Sequence, residues 1–285
     1  MNLNYKAIVN ITGGILIVFS ICFIWPAIVS LIYSEKSNAI IFFAVAVFVF
    51  LAGALLKALI KPDDTHLRIR DGFFVVSLIW IPLIGAAPLT LSGDMPSYID
   101  AVFESCSGFS TTGSTVLTDI EAMSQGMLFW RSFTHWLGGM GILILAIAVI
   151  PMLYSGKQNI ALESTGPSFD KTSSKLSDSA RQLYILYFSF TLLQIILLMF
   201  GGMNLFDSLI HAFGSAGTGG FSNYANSIGQ LDSAYIDGVI TVFMILFGIN
   251  FNLFYLLLLR QFKPVWKNEE LRTYLAIIAT AIALI

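Results

Sequence analysis

Charged residues are scarce in this sequence, and their scarcity excludes a soluble protein. Aspartate, glutamate, lysine and arginine make up 11% of the 285 residues, whereas 56% are hydrophobic. A soluble domain carries roughly 25% charged residues. Because so few polar groups cannot cover a surface in water, the expected environment is a lipid bilayer.

Cysteines and catalytic motifs are also lacking. The two cysteines, Cys22 and Cys106, have no histidine nearby and predict neither a disulfide framework nor a zinc site. No apolar run contains a His-Glu-x-x-His motif or a pair of acids. We therefore expect no enzyme, no resident cofactor and no nucleic-acid partner. An intramembrane enzyme that uses His135 with Asp100 or Asp119 is a remote alternative.

Six apolar runs are long enough to cross a membrane as helices, which takes about 20 residues. The run that follows Lys6 is too long for a cleavable signal peptide. A seventh run begins near Leu271 and is still apolar at the last residue, which suggests a helix cut within a longer protein. Tryptophans near the run ends, Trp25, Trp80, Trp130 and Trp136, are expected at the membrane interfaces. The six runs are Ala7–Tyr33, Ala39–Ile60, Gly72–Leu91, Met127–Leu153, Gln182–Phe200 and Ile236–Leu259.

Two shorter apolar segments lie between the long runs. Ser97–Gly108 separates the third run from the fourth, and Asn204–Ser215 separates the fifth from the sixth. Each is too short to cross a bilayer and too apolar for a solvated loop, which is typical of a re-entrant half-helix. The predicted fold is an all-α polytopic membrane protein, with two leading transmembrane helices followed by repeated units of helix, re-entrant pore loop and helix.

The basic residues predict the orientation. Lysines and arginines cluster after the second, fourth and sixth runs, and with Lys6 they fall on one side if the runs alternate. Since cytoplasmic loops are rich in these residues, we expect a multi-pass protein of the bacterial inner membrane with a cytoplasmic N-terminus. The clusters are Lys57, Lys61, Arg68 and Arg70; Lys157, Lys171, Lys175 and Arg181; and Arg260, Lys263, Lys267 and Arg272.

The opposite side is acidic. No lysine or arginine occurs from Gly72 to Trp130. A vestibule lined with acids would concentrate cations, although solvated loops that obey the topology rule would look the same. The acids are Asp94, Asp100, Glu104, Asp119 and Glu121 around the first short segment, and Asp207, Asp232 and Asp237 around the second.

The two short segments belong to an internal duplication. Ser97-Tyr98-Ile99-Asp100 aligns with Asn204-Leu205-Phe206-Asp207, and without a gap Thr111-Thr112-Gly113 falls on Thr218-Gly219-Gly220. Ser97 and Asn204 are suited to cap the half-helices, with an acid three residues later at the positive helix end. The pattern indicates two copies of one structural unit.

The Thr/Gly stretch after each half-helix is a candidate ion site. Glycine tolerates backbone conformations closed to other residues, so such a stretch can turn carbonyl oxygens toward one axis and replace the hydration shell of a cation. The alternative is that the glycines only permit close helix packing. The candidate ligands, through backbone carbonyls, are Thr111, Thr112, Gly113, Thr218, Gly219 and Gly220, with Ser110 and Gly217 as possible additional positions.

Ionisable residues near these stretches have structural and functional interpretations. Arg131 and His135 lie one turn apart on one helix face, and we expect them to pair with an acid or with carbonyls that brace the turns. Glu104 and the two acids that follow the caps either attract cations or serve capping and solvation. His211 is expected to be packed and hydrogen-bonded.

Three motifs resemble TrkH-type potassium uptake proteins. The run Trp130-Arg131-Ser132-Phe133-Thr134-His135-Trp136-Leu137-Gly138-Gly139-Met140-Gly141 is similar to the fourth span of that family. The Thr111-Thr112-Gly113 and Thr218-Gly219-Gly220-Phe221-Ser222 turns resemble its first two filter segments, and Glu163-Ser164-Thr165-Gly166-Pro167 resembles its linker. The family, with its relatives KtrB and the plant HKT carriers, arranges four such units around one pore, and TrkH members carry two extra spans first.

The resemblance implies a function and partners. It implies potassium translocation, passive or ion-coupled, with Gly113 and Gly220 as filter glycines. Glycine at the first of these positions, Gly113, goes with potassium in the family, and serine there goes with sodium. A sodium or nonselective cation transporter of the same fold is the alternative. The implied partners are potassium, membrane lipids, a second copy and a cytosolic nucleotide-binding subunit of the TrkA type.

The sequence divides into five expected parts. They are 1–70, two leading helices; 71–156, the first pore unit; 157–180, a cytoplasmic linker; 181–262, the second pore unit; and 263–285, the start of a third.

Overall fold

A computed structural model describes residues 5–60, 82–158 and 169–284, and within these ranges every regular element is helical. The all-α prediction is confirmed. A 3-10 helix covers Ser227–Leu231. The α-helices are α1 (Tyr5–Cys22), α2 (Ile24–Ile32), α3 (Lys36–Leu59), α4 (Pro82–Ser92), α5 (Tyr98–Phe109), α6 (Gln125–Gln158), α7 (Phe169–Phe200), α8 (Leu205–Ala216), α9 (Ala234–Phe247), α10 (Phe251–Leu258), α11 (Phe262–Lys267) and α12 (Glu269–Leu284).

The long helices agree with most of the predicted spans. Among the described residues, three stretches are long and apolar enough to cross a membrane: Tyr5–Ile32, Lys36–Leu59 and Arg181–Phe200. They match the first, second and fifth predicted spans, and α6 contains the fourth. The third predicted span is described from Pro82 onward, as α4. Its first part, the basic loop before it and the Glu163–Pro167 motif lie outside the described residues.

The sixth predicted span is broken, so the prediction of one continuous helix was wrong. Helices α9 and α10 meet at 91° across Gly248–Asn250. Asn250 caps α10 by accepting a hydrogen bond from the amide of Asn252 at 3.1 Å. Helix α12 packs into the break, where Tyr274 donates to the carbonyl of Ile245 at 3.2 Å. A Cβ on Gly248 would overlap the Tyr274 hydroxyl, so a larger residue there would displace the Tyr274 side chain.

Trp130 occupies the centre of the core between the leading helices and the first unit. The residue is fully buried, its ring stacks on Phe23 with centroids 4.6 Å apart, and its Nε1 donates to the carbonyl of Gly85 at 2.9 Å. The prediction of an interfacial position for Trp130 was therefore wrong. A buried indole ring with a satisfied N–H contributes large apolar area without a polar cost. Trp25, by contrast, is exposed.

Glu35 connects the leading helices to the N-terminus of α6. Its carboxylate accepts hydrogen bonds from the amide of Gln125 at 2.7 Å and from the amide of Gly126 at 3.0 Å. Asp94 accepts from the amide and hydroxyl of Ser124 at 3.2 and 2.6 Å. The first amides of a helix lack intrahelical partners and carry partial positive charge, so carboxylates stabilise this end. The leading helices thus help to hold the first unit in place.

Replacing Glu35 by alanine should destabilise the protein by about 1 to 2 kcal/mol, because two helix-terminal amides lose a charged acceptor. The measurement is the temperature at which detergent-solubilised protein stops eluting as a single species. The control is Ser37→Ala, a change at an exposed residue in the first turn of α3, which begins directly after Glu35. This variant should leave that temperature unchanged. Equal transition temperatures for the two variants would contradict a stabilising role for Glu35.

Candidate ion site

In each unit, a half-length helix with a side-chain N-cap precedes the candidate ion site. Helices α5 and α8 have 12 residues each. The Ser97 side chain accepts from the amide of Asp100 at 3.4 Å, and the Asn204 side chain accepts from the amide of Asp207 at 2.8 Å. Both predicted caps are confirmed. Because the aligned residues take the same role, the duplication seen in the sequence is a duplication of structure.

The turns after the two half-helices share one backbone conformation. Thr111 and Thr218 have φ angles of 57° and 55°, and Gly113 and Gly220 have φ angles of 78° and 82°. Positive φ is uncommon for threonine because its branched side chain crowds the backbone. Strained backbone of this kind persists only where its surroundings enforce it, and it clusters at functional sites.

Hydrogen bonds hold the turns from their amide side. The amide of Thr111 donates to Gly108 at 3.0 Å and that of Thr112 to Ser107 at 2.9 Å. In the second unit, Thr218 donates to Ser215 at 2.9 Å and Gly219 donates to Gly214 at 3.0 Å. These carbonyls lie near the C-terminal end of each half-helix, where they have no intrahelical partner.

The carbonyl side of the turns is left free. Within the described part of the chain, no donor reaches the carbonyl oxygens of the six candidate ligands, Thr111, Thr112, Gly113, Thr218, Gly219 and Gly220. These residues are partly or fully exposed, whereas the half-helix ends behind them are mostly buried. Of the two additional candidates, Ser110 is exposed and Gly217 is buried; both are C-caps. The arrangement offers oxygen dipoles, which suit a hard cation.

The two turns meet each other. A Cβ on Gly113 would overlap the carbonyl oxygen of Gly219. The carbonyl oxygen of Gly219 in the second turn therefore lies against the backbone of Gly113 in the first. Glycine at position 113 is therefore required twice, by its positive φ and by the neighbouring turn.

Helix α6 lies against both turns. A Cβ on Gly138 would lie 2.5 Å from the carbonyl oxygen of Phe109 and 2.8 Å from Cγ2 of Thr111. On the next residue, Gly139, it would lie 3.2 Å from Cα of Gly217. Consecutive glycines thus let one helix backbone touch both units, as small residues do in packed membrane helices.

Gly138→Ala tests this close contact, because helix propensity and packing predict opposite signs for the change in stability. Helix propensity alone favours alanine by about 1 kcal/mol, but overpacking against Phe109 and Thr111 should reverse the sign and cost about 1 to 3 kcal/mol. The matched control is Gly14→Ala in α1, where a Cβ meets open space. The transition temperature in detergent should fall for Gly138→Ala and should not fall for Gly14→Ala. A rise for both variants would contradict the close contact.

Buried polar side chains lie behind the turns at equivalent positions. The Glu104 carboxylate, on α5, accepts from the Thr115 hydroxyl at 2.9 Å. His211, on α8, bonds the Ser222 hydroxyl through Nε2 at 3.1 Å and the Asp207 carbonyl through Nδ1 at 2.8 Å. Since Nδ1 must donate to a carbonyl, the neutral ring accepts from Ser222 through Nε2. The expectation of a packed, hydrogen-bonded His211 is confirmed.

Arg131 and His135 project from α6 toward the second turn. Arg131 pairs with Glu104, Nε to Oε1 at 2.5 Å, and its Nη1 donates to the Ser222 carbonyl at 2.9 Å. The His135 ring stacks on Phe221 with centroids 3.9 Å apart. A Cβ on Gly219 would lie 2.5 Å from His135 Nε2. Arg131 thus pairs with both an acid and a carbonyl, while its contribution to the function of the turns stays a prediction.

The acids divide into tied and exposed groups. Asp207 is buried and accepts from Asn204, Asn223 and Tyr224, each at 2.7 Å. Glu104 is fully buried, so it neither faces a vestibule nor is solvated as expected. Asp94 is half-buried and tied to Ser124. The other acids are exposed, and an outer acidic mouth formed by them stays a prediction: Asp100, Asp119, Glu121, Asp232 and Asp237.

Sequence reasoning missed two links to this site, Glu104 with Thr115 and His211 with Ser222. The alignment that matched the turns also pairs Glu104 with His211 and Thr115 with Ser222. A polar residue repeated on an apolar half-helix and a hydroxyl repeated after the turn are signals that could have found both links.

Paired units of half-length helix, strained turn and crossing helix define a membrane protein built from re-entrant loops. The family model described as TrkH, cation transport protein, matches residues 36–281, and the chain belongs to this family. It is 35% identical over 289 residues to the Trk system potassium uptake protein TrkH of Escherichia coli K12, covering 99% of this chain and 59% of that protein. The Halomonas elongata protein of the same name is 34% identical, with coverages of 95% and 56%.

A solved structure has the same fold. The crystal structure of the potassium transporter TrkH from Vibrio parahaemolyticus matches with a TM-score of 0.84 and 30% identity, covering 96% of this chain and 57% of that one. The chain thus spans somewhat more than half the length of the relatives that it matches.

Proposed function

We propose that this chain contributes to potassium translocation across the inner membrane, as the membrane subunit of a Trk-type uptake system. One observation carries the proposal: two equivalent turns meet with six carbonyl oxygens that accept no hydrogen bond within the described residues. Carbonyl oxygens can replace the hydration shell of a cation. The potassium ion is thus the transported substrate, held by Thr111, Thr112, Gly113 and their counterparts Thr218, Gly219 and Gly220.

Two further observations support potassium as the transported ion. Relatives that match nearly the whole chain are named potassium uptake proteins. Glycine stands at position 113, where the family resemblance associates serine with sodium. A sodium or nonselective cation transporter of the same fold remains the second candidate.

The proposal extends to the assembly. The family resemblance favours a cytosolic nucleotide-binding partner of the TrkA type and a homodimer in a lipid bilayer. Clusters of basic residues, including Lys57, Arg181 and Arg260, support cytoplasmic loops on one side. The proposed units are 71–156 and 181–262, after the leading helices of 1–70 and around the linker of 157–180, with a third unit from 263.

Serine at the turn glycines should change ion preference. A Cβ at Gly113 or Gly220 strains a left-handed backbone by about 1 to 3 kcal/mol, and at Gly113 it also displaces the Gly219 carbonyl. We expect Gly113→Ser and Gly220→Ser to weaken growth of a potassium-uptake-deficient bacterium at limiting potassium, or to admit sodium. Uptake of rubidium, as a potassium tracer, and of sodium is measured at equal membrane levels of protein of natural length.

Gly202→Ser is the matched control. Gly202 also has positive φ, 92°, and open space around its Cβ, but it precedes α8 rather than following it. This variant should retain the wild-type rubidium-to-sodium ratio. If both turn variants also retain that ratio, the glycines serve packing and the site assignment is wrong. If the wild type does not rescue growth with its regulator present, the potassium proposal fails.

A further inference from the structure

Arg131 belongs to the first unit but bonds to both units. Its Nε pairs with Glu104 of α5 at 2.5 Å, and its Nη1 donates to the carbonyl of Ser222, just after the second turn, at 2.9 Å. Its Cζ lies 3.8 Å from the centroid of the Phe221 ring. The Arg131 and Glu104 side chains are 2% and 0% exposed, so water does not screen the contact.

Glu104 continues the connection to the first turn. Its Oε1 accepts from the Thr115 hydroxyl at 2.9 Å, and its Oε2 accepts from the amide of Val116 at 3.2 Å. Thr115 follows Gly113 by two residues, as Ser222 follows Gly220. A chain of polar contacts therefore runs from Thr115 through Glu104 and Arg131 to Ser222, joining equivalent positions beside the two turns.

The second unit shows which part of this connection is repeated. His211 takes the place of Glu104 and bonds the Ser222 hydroxyl at 3.1 Å. A bond from half-helix to hydroxyl thus occurs in both units and braces each turn locally. Arg131 adds a different contact, which crosses from one unit to the other.

Stability alone does not account for a buried ion pair. Removing two charges from water costs several kcal/mol per ion, and well-packed apolar residues of similar volume are often as stable or more so. A guanidinium, however, is planar and holds acceptors in fixed directions. Cation discrimination depends on where the turn carbonyls lie. A guanidinium that bonds to both units can fix the relative position of the two turns and so affect this discrimination.

We propose that Glu104 and Arg131 are positioning residues that hold the second turn in fixed register with the first, and thereby set the preference of the site for potassium over sodium. This inference rests on the proposed function. Glu104 has a second effect, since it neutralises a guanidinium that lies beside the cation path. An unpaired Arg131 would repel the ion that the carbonyls attract.

Neutralisation of Arg131 and the fixed register of the turns predict different uptake and ion preference for different variants. Glu104→Gln leaves Arg131 buried without its counter-charge, so rubidium uptake per molecule in the membrane should fall roughly tenfold or more. The double variant Glu104→Gln with Arg131→Met removes both charges. Its uptake should recover, because the two changes share one interaction and are not additive. Its rubidium-to-sodium ratio should nevertheless fall by about threefold or more, because the fixed register is lost.

Arg131→Lys separates charge from geometry. Lysine keeps the positive charge but has no planar fork with which to hold Glu104 and Ser222 together. We expect uptake to be retained, with a lower rubidium-to-sodium ratio and a higher apparent KM for rubidium. Glu35→Gln is the control, since Glu35 binds the amides of Gln125 and Gly126 and should affect stability alone.

The experiment uses protein of natural length, with its regulator, in a potassium-uptake-deficient strain. A double variant with the wild-type ratio and KM would overturn the proposal and leave the pair a purely structural role. If the double variant does not accumulate in the membrane, Arg131→Lys decides the question, and a wild-type ratio for it overturns the proposal. Failure of the wild type to take up rubidium refutes the proposed function itself, and this inference with it.

Discussion

Backbone amides and carbonyls inside a membrane need partners within the protein, because hydrocarbon offers none unless the backbone lines a water-filled cavity. The turns of this protein meet that demand on one side. Thr112 donates its amide to Ser107, and Gly219 donates to Gly214, at the ends of the half-helices. Within the described residues, the turn carbonyls receive no such bond. The caps, the crossing helix and the buried polar side chains all support the turns in this arrangement, with their amides bonded and their carbonyls unbonded within the described residues.

Close approach is the second requirement, and α6 provides it. One helix lies against both turns because Gly138 and Gly139 carry no side chain, while Arg131 and His135 project from the same helix toward the second turn. A membrane offers little hydrophobic drive for helix association, so packing of small residues and polar contacts has to supply it. Helix α6 therefore belongs to the first unit and also packs against the turn of the second.

Local features could be predicted from the sequence, whereas contacts between distant segments could not. The caps at Ser97 and Asn204 and the shared register of the turns depend on neighbouring residues, and the structure contains them. At the break in the sixth predicted span, Tyr274 reaches the carbonyl of Ile245 from α12, which is distant in sequence. Sequence reasoning expected Arg131 to pair with an acid or a carbonyl, but the carbonyl partner lies 91 residues away. The placement of Trp130 was missed because interfacial and buried tryptophans share the same neighbours in sequence.

In a protein built from two similar units, the position of one unit relative to the other also has to be fixed, and the bonds within each unit do not fix it. The links from Glu104 to Thr115 and from His211 to Ser222 brace each turn within its unit, but equivalent internal bonds leave the relative position of two similar units undetermined. A buried polar contact that is satisfied in only one arrangement can select that arrangement, even where it adds little stability. The contact of Arg131 with Glu104 and Ser222 has this property. The second unit has His211 where the first has Glu104, so no acid at the equivalent position competes for Arg131. Within the described residues, Glu104 is the carboxylate that pairs with this guanidinium.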